Sequence, residues 1–188
     1  MNEMKDKDII ISSISDAQGY IDEIYKSIEL TKGKLLKCLQ NDNSIEAFKD
    51  IKFKEIATDP LNQKEINFIE MLNQSFSDIV VFRGVEYLLS LDKYKGNVFK
   101  IKAGAVNGID IESDTVVAEC FSVVSVFNNQ KIKKDSDKLL KKGSDKDKYI
   151  FFYTDKDKKE EIEEFIKTHE AYKDITYKSL SKDLTTFE

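Results

Sequence analysis

At Gly96 the apolar rhythm of the sequence changes, and that change limits the folds open to the chain. Before it, apolar residues recur every three or four positions, the period of an amphipathic helix. Ile14, Ala17, Ile21, Ile24, Tyr25, Ile28, Leu35, Leu36 and Leu39 follow it over residues 14 to 41, with a break expected at Gly33. Ile66, Ile69, Leu72 and Phe76, then Val81, Val85, Leu88 and Leu89, follow it from about 66 to 92, as two helices or one kinked helix. Asp59-Pro60 reads as an N-cap followed by proline at the first helical position. After Gly96 the period falls to two, with Val98, Lys100 and Lys102 on one side of a strand and Phe99 and Ile101 on the other.

A turn at Gly104 to Asn107 leads to a second strand, Gly108 to Glu112, and Ser113-Asp114 turns the chain into a third, Thr115 to Val124. The third is almost wholly apolar, as a strand covered on both faces should be. Helices follow at Asn128 to Lys142 and Asp157 to Thr168, with strands at Tyr149 to Thr154 and Ile175 to Tyr177. Strands joined by short turns are antiparallel neighbours, and one reached through a crossover helix lies parallel. The expectation is an α/β protein with a mixed sheet. Residues 1–59 form an N-terminal helical segment and 60–188 the core.

Composition narrows the class. The 188 residues are 40% hydrophobic and 35% charged with 7 Gly, 1 Pro and no Trp, which excludes collagen-like and Pro/Gly-rich disordered chains. No apolar run approaches the ~20 residues of a membrane span, and the opening stretch lacks the basic start of a signal peptide, so a cytoplasmic location is expected. Cys38 and Cys120 read as small buried hydrophobes. His169 is the only histidine, leaving no His-based triad or His metal cluster, and Gly33-Lys34-Leu35 is no phosphate loop. The aromatic strand Tyr149, Phe151, Phe152 and Tyr153 reads as core, and the acidic run 160–164 as a solvated helix face.

The net charge of -5 comes from 35 acids and 30 bases, all of the latter lysine except Arg83. It is unevenly spread, at -3 over residues 1–60, -3 over 61–126 and +1 over 127–188. Phe127 to Lys142 alone carries 6 Lys and 2 Asp, a local +4 with Lys131, Lys134, Lys138, Lys141 and Lys142 on one side of the helix. Such a face suits a phosphate backbone, although lysine-rich helices are common solvated surfaces.

Two carboxylates stand out. Asp110 lies in the second strand, and Glu119 is the sole charge in the apolar run Thr115 to Phe127. A buried carboxylate needs a cation, a set of donors or a metal, and two on adjacent strands can share Mg²⁺. The plain alternative is a structural ion pair between Glu119 and a lysine.

The helix, three-strand, helix, strand order from Asp78 to about Thr154, with Asp on the second strand and Glu on the third, resembles the PD-(D/E)XK nuclease superfamily, the fold of many restriction endonucleases. The segment Ala118-Glu119-Cys120-Phe121 followed by Asn128-Asn129-Gln130-Lys131 is also similar to a pattern in uncharacterised restriction-associated proteins. The resemblance implies an αβββαβ core, Mg²⁺ held by Asp110 and Glu119, and assistance from a helix glutamate best matched by Glu86. It departs from the family at Phe121, where a lysine two residues past the glutamate is usual, and at Ile109, where proline is usual. Lys131 is the candidate replacement cation. The function so implied is Mg²⁺-dependent hydrolysis of double-stranded DNA by a restriction-type endonuclease, with Lys131, Lys134, Lys138 and Lys141 along the DNA. A homodimer is expected, the N-terminal segment serving dimerisation or DNA contact. Two alternatives remain: a non-catalytic DNA-binding or regulatory subunit on the same fold, and a protein-interaction module.

Overall fold

The computed structural model describes residues 8–102, 108–124, 127, 130–143, 145–155 and 158–188. The elements run β1 (Ile9–Ile11), α1 (Ile14–Leu39), α2 (Ser44–Phe53), β2 (Glu55–Thr58), β3 (Glu65–Asn67), α3 (Phe68–Ser90), β4 (Phe99–Ile101), β5 (Ile111–Glu112), β6 (Val116–Ser122), α4 (Lys131–Lys142), β7 (Asp147–Tyr153), α5 (Lys159–Thr168) and β8 (Ile175–Ser179). Short 3₁₀ turns lie at Asp92–Tyr94 and Glu170–Tyr172.

A six-stranded mixed sheet, ordered β1-β4-β5-β6-β7-β8, organises the chain. β1, β4, β5 and β6 pair antiparallel in turn, while β7 and β8 add in parallel through the crossover helices α4 and α5. The expected mixed α/β sheet is therefore present.

The period-two pattern decides which side chains meet which helices. On β6, Val116, Ala118 and Cys120 join the core under α3 and α1, with Ile79, Phe82, Val85, Ile21 and Ile24. Val117 and Phe121 point the other way, into a second core with Ile132 and Leu139 of α4 and Ile162 of α5. β6 is thus covered on both faces, and its buried run Val116 to Phe121 follows from that.

Several expectations need correction. α1 runs unbroken through Gly33, because its capping box (Ser13 Oγ accepting from Asp16 N) and its packed inner face outweigh one glycine. Pro60 does not start a helix. The Asp59 carboxylate accepts from the N–H of Leu61 at 2.8 Å and from Asn62 Nδ2 at 2.7 Å, and the chain turns back at once to pair β3 with β2. The helix begins at Phe68 instead, capped by Asn67 Oδ1 accepting from Glu70 N at 2.9 Å, and it is one helix rather than two. β1 and α2 were not foreseen. β1 extends the sheet beyond β4, and Ile11, Ala17, Ile21 and Ile24 share one core with residues of α3, β4 and β6, so apolar packing runs across residue 59. Residues 104–107, read as a turn, and Asn128-Asn129, read as the start of the fourth helix, lie outside the described residues. The described helix starts at Lys131.

Candidate active site

Asp110 and Glu119 are brought together by strand register. Ile111 pairs with Ala118 and Glu112 with Val117, so one step further Asp110 stands opposite Glu119. Directly opposed residues on antiparallel strands hold their Cβ atoms about 5 Å apart. The ladder ends there. Lys102 N–H donates to the Asp110 carbonyl at 3.0 Å, and the N–H of Cys120 donates at 2.8 Å to Oδ2 of the Asp110 side chain, which takes the place a strand carbonyl would fill.

Glu119 shares its side of β6 with Val117 and Phe121 and therefore faces α4. Lys138, on the second half of α4, donates from Nζ to Glu119 Oε2 at 2.7 Å. Glu119 is 1% exposed and its Oε1 has no hydrogen-bond partner. Burial, reinforced by the charge of Asp110, pushes its carboxyl up to about 8 against the opposing effect of Lys138. Asp110 is half-buried and rises to about 6, from burial offset by the Cys120 N–H, Lys138 and Lys131.

The α4 lysines divide. Lys131 pairs with the buried Asp135 at 3.0 Å, one turn along the helix, and its Nζ stands 5.4 Å from the Phe121 ring centroid. Burial raises the Asp135 carboxyl, and Lys131 opposes the rise. Lys134 and Lys141 stay exposed. The expected single lysine face is thus split, because Asp135 and Glu119 draw Lys131 and Lys138 toward the sheet. Lys138, expected along the DNA, is the cation bonded to the strand glutamate, whereas Lys131, expected in that role, reaches the neighbouring position.

Glu86 is not brought to these carboxylates. It accepts from Arg83 Nη1 at 2.6 Å, and the same guanidinium donates to Gln18 Oε1 at 3.1 Å and to the Leu184 carbonyl at 3.0 Å, which fixes both side chains between α3, α1 and the C-terminal segment. The α3 acid on which the charge of Asp110 acts is Asp78, one of the residues sequence reasoning missed. It is 5% exposed, has no hydrogen-bond partner among the described residues, and is pushed up to about 7 by burial and by the charges of Asp59 and Asp110. Its signal was present, since a lone acid beside Ile79-Val80-Val81-Phe82 is as conspicuous as Glu119 in its strand.

The residues fit a hard divalent cation. The buried Oε1 of Glu119 has no hydrogen-bond partner among the described residues, and with the Asp110 carboxylate it would make up two oxygen ligands, the usual protein share for Mg²⁺. Among the described residues no group of three or more His, Cys, Asp and Glu side chains is arranged to hold a metal by itself. Among them, too, no helix is long and apolar enough to cross a membrane. No protein-family model, curated protein or solved structure matches the chain.

Proposed function

We propose that the protein is a Mg²⁺-dependent endonuclease of restriction type, hydrolysing phosphodiester bonds of double-stranded DNA on a restriction-endonuclease-like αβββαβ core. The observation that carries this reading is the placing of Asp110, which lies one residue before β5 rather than within it as expected, beside Glu119 of β6, with the Lys138 ammonium supplied by the next helix. Asp110 and Glu119 would hold the ion, and Asp78 rather than Glu86 is the carboxylate of the preceding helix on which the charge of Asp110 acts. When bound, Mg²⁺ acidifies a water and offsets the charge that grows on a phosphodiester.

The chain's own groups do the rest. Lys138, paired with Glu119, would present an ammonium beside the scissile position. Lys131, with its Nζ 5.4 Å from the Phe121 ring centroid, would supply a second cation in place of the lysine that the superfamily carries at that position. Among the described residues no side chain caps the first turn of α4, a helix end that favours anions, and Lys134 and Lys141 would extend the positive surface along the helix. A homodimer would place two such sites on the two strands.

Cleavage of plasmid DNA in Mg²⁺ or Mn²⁺ by the wild type, Asp110→Ala and Glu119→Ala tests this. Cleavage by the wild type and its loss in both variants is expected; equal activity in all three proteins sinks the proposal. A second reading is a DNA-binding subunit that does not cut, favoured by the closed ion pair between Glu119 and Lys138. Wild-type protein that binds DNA at low salt, without cutting it at any divalent-ion concentration, is its signature.

A further inference from the structure

A groove of about 510 Å³ lies between α1 and the β2–β3 hairpin, with the buried Ser27 and Thr31 of α1 at its edge, and neither Asp110 nor Glu119 lines it. Its volume falls within the range of small-molecule sites, about 300–1,000 Å³. One face of α1 forms a wall, with Lys26, Leu30, Gly33, Lys34 and Lys37 at spacings of three and four, and Pro60 and Gln63 of the hairpin face it. Ser27 Oγ donates to the Thr58 carbonyl at 2.6 Å and ties the two walls together at the base.

Three observations point to a ligand. Thr31 lines the groove, is 2% exposed, and its hydroxyl has no hydrogen-bond partner among the described residues. Gly33 stands in the middle of a 26-residue helix, where it costs about 1 kcal/mol relative to Ala, yet a Cβ there would meet nothing within 4 Å. Neither backbone geometry nor packing calls for a glycine at that place, and its missing side chain keeps the groove open. Lys34 and Lys37 have no carboxylate partner among the described residues, whereas Lys26 is held by Glu23 at 2.6 Å.

We propose that this groove binds an organic phosphate monoester the size of a nucleoside monophosphate. A phosphate monoester carries about -1.5 to -2 charges at pH 7, which the two unpaired ammonium groups of Lys34 and Lys37 match. Lysine, a point charge, suits a phosphate, and no arginine lines the groove to favour a planar carboxylate. The organic body packs on Leu30, whose side chain is largely exposed, and on Pro60, while the Thr31 hydroxyl supplies a hydrogen bond below it.

Calorimetric titration of the full chain with AMP, UMP and glucose 6-phosphate, with adenosine and inorganic phosphate as controls, tests the assignment. At least one of the three esters should bind at least tenfold more tightly than either control. Lys34→Glu combined with Lys37→Glu should weaken that ester at least tenfold. Gly33→Leu, which fills the groove and improves helix propensity, should abolish binding with helical circular dichroism retained. Asp110→Asn should leave binding unchanged, which separates this site from the nuclease proposal. Binding of none of the esters, controls binding as tightly, or unaltered binding in Gly33→Leu would overturn it.

Discussion

Lys138 Nζ donates to Glu119 Oε2 at 2.7 Å, joining the middle of the most buried strand to a helix on the other side of a chain reversal. Glu119 is nearly inaccessible while the Lys138 side chain is 31% exposed, so the pair sits at the boundary between core and solvent. Lys138→Met removes the only hydrogen-bond donor that the described residues offer to the buried Glu119 carboxylate, and should lower unfolding stability by about 1–3 kcal/mol. Adding Glu119→Gln should recover part of that loss, since a neutral amide needs no cation. A double-mutant cycle by urea denaturation measures the coupling, and strictly additive losses would show the pair to be energetically idle.

Stability should fall as pH rises from the ordinary carboxylate range to about 8. Glu119, Asp78 and Asp110 keep their protons to about 8, 7 and 6 in the folded protein, whereas the unfolded chain releases them near 4.5 and 3.8. Across that interval the folded state binds more protons than the unfolded one, so each rise in pH favours unfolding. Thermal melts from pH 5 to pH 8.5 should show a falling midpoint, flatter in the Asp78→Asn, Glu119→Gln double variant. If Mg²⁺ is held by these carboxylates, its stabilising effect on the melt should grow over the same interval, because ligands must lose their protons first.

Asp78 and Glu86 should behave differently. Asp78→Asn should reduce metal-dependent cleavage with little loss of stability, since it replaces a buried charge lacking a hydrogen-bond partner by a neutral isostere. Glu86→Gln should leave cleavage intact and cost about 1–2 kcal/mol, because it weakens the Arg83 bond that ties α3 to its neighbours. Cleavage assays paired with urea denaturation distinguish the two, and the reverse pattern would return the metal role to Glu86.

Gly84 lies where α3 packs tightly on the sheet. A Cβ there would lie 2.9 Å from Phe151 Cδ2 and 3.1 Å from Ile111 Cδ1, both in the packed core. Gly84→Val should therefore destabilise by about 1–3 kcal/mol through overpacking, despite its better helix propensity. A thermal melt at least as high as wild type would contradict the close packing.

The elements from Gly96 onward were legible because each carries a local signal. Alternation at Phe99 and Ile101, the apolar run of β6, and the Gly143 stop after α4 depend on side-chain period and backbone preference alone. β1 and β2 were missed for the opposite reason. Three or four residues carry too little pattern, and they become strands only when β4 or β3 supplies the other half of the ladder. Asp59-Pro60 reads locally as a helix start, but the Asp59 carboxylate also caps a tight turn, and the pairing of Ala57 with Ile66 selects the turn.

The sequence by itself determined the order of elements after Gly96 and the two carboxylates, Asp110 and Glu119, that a strand cannot bury for nothing. Tertiary structure decided their partners. Lys131, Lys134, Lys138 and Lys141 are equivalent on a helical wheel, and only the seating of α4 on β6 turns Lys138 to Glu119, sends Lys131 to Asp135 and leaves the other two in water. Asp78 and Glu86 likewise occupy one helix, and while Glu86 finds Arg83 one turn away on that helix, only the packing of α3 buries Asp78 within reach of the charges of Asp59 and Asp110. A charge's chemistry depends on which charges lie within a few ångströms and how far water is excluded, and neither quantity exists until the helices are packed on the sheet.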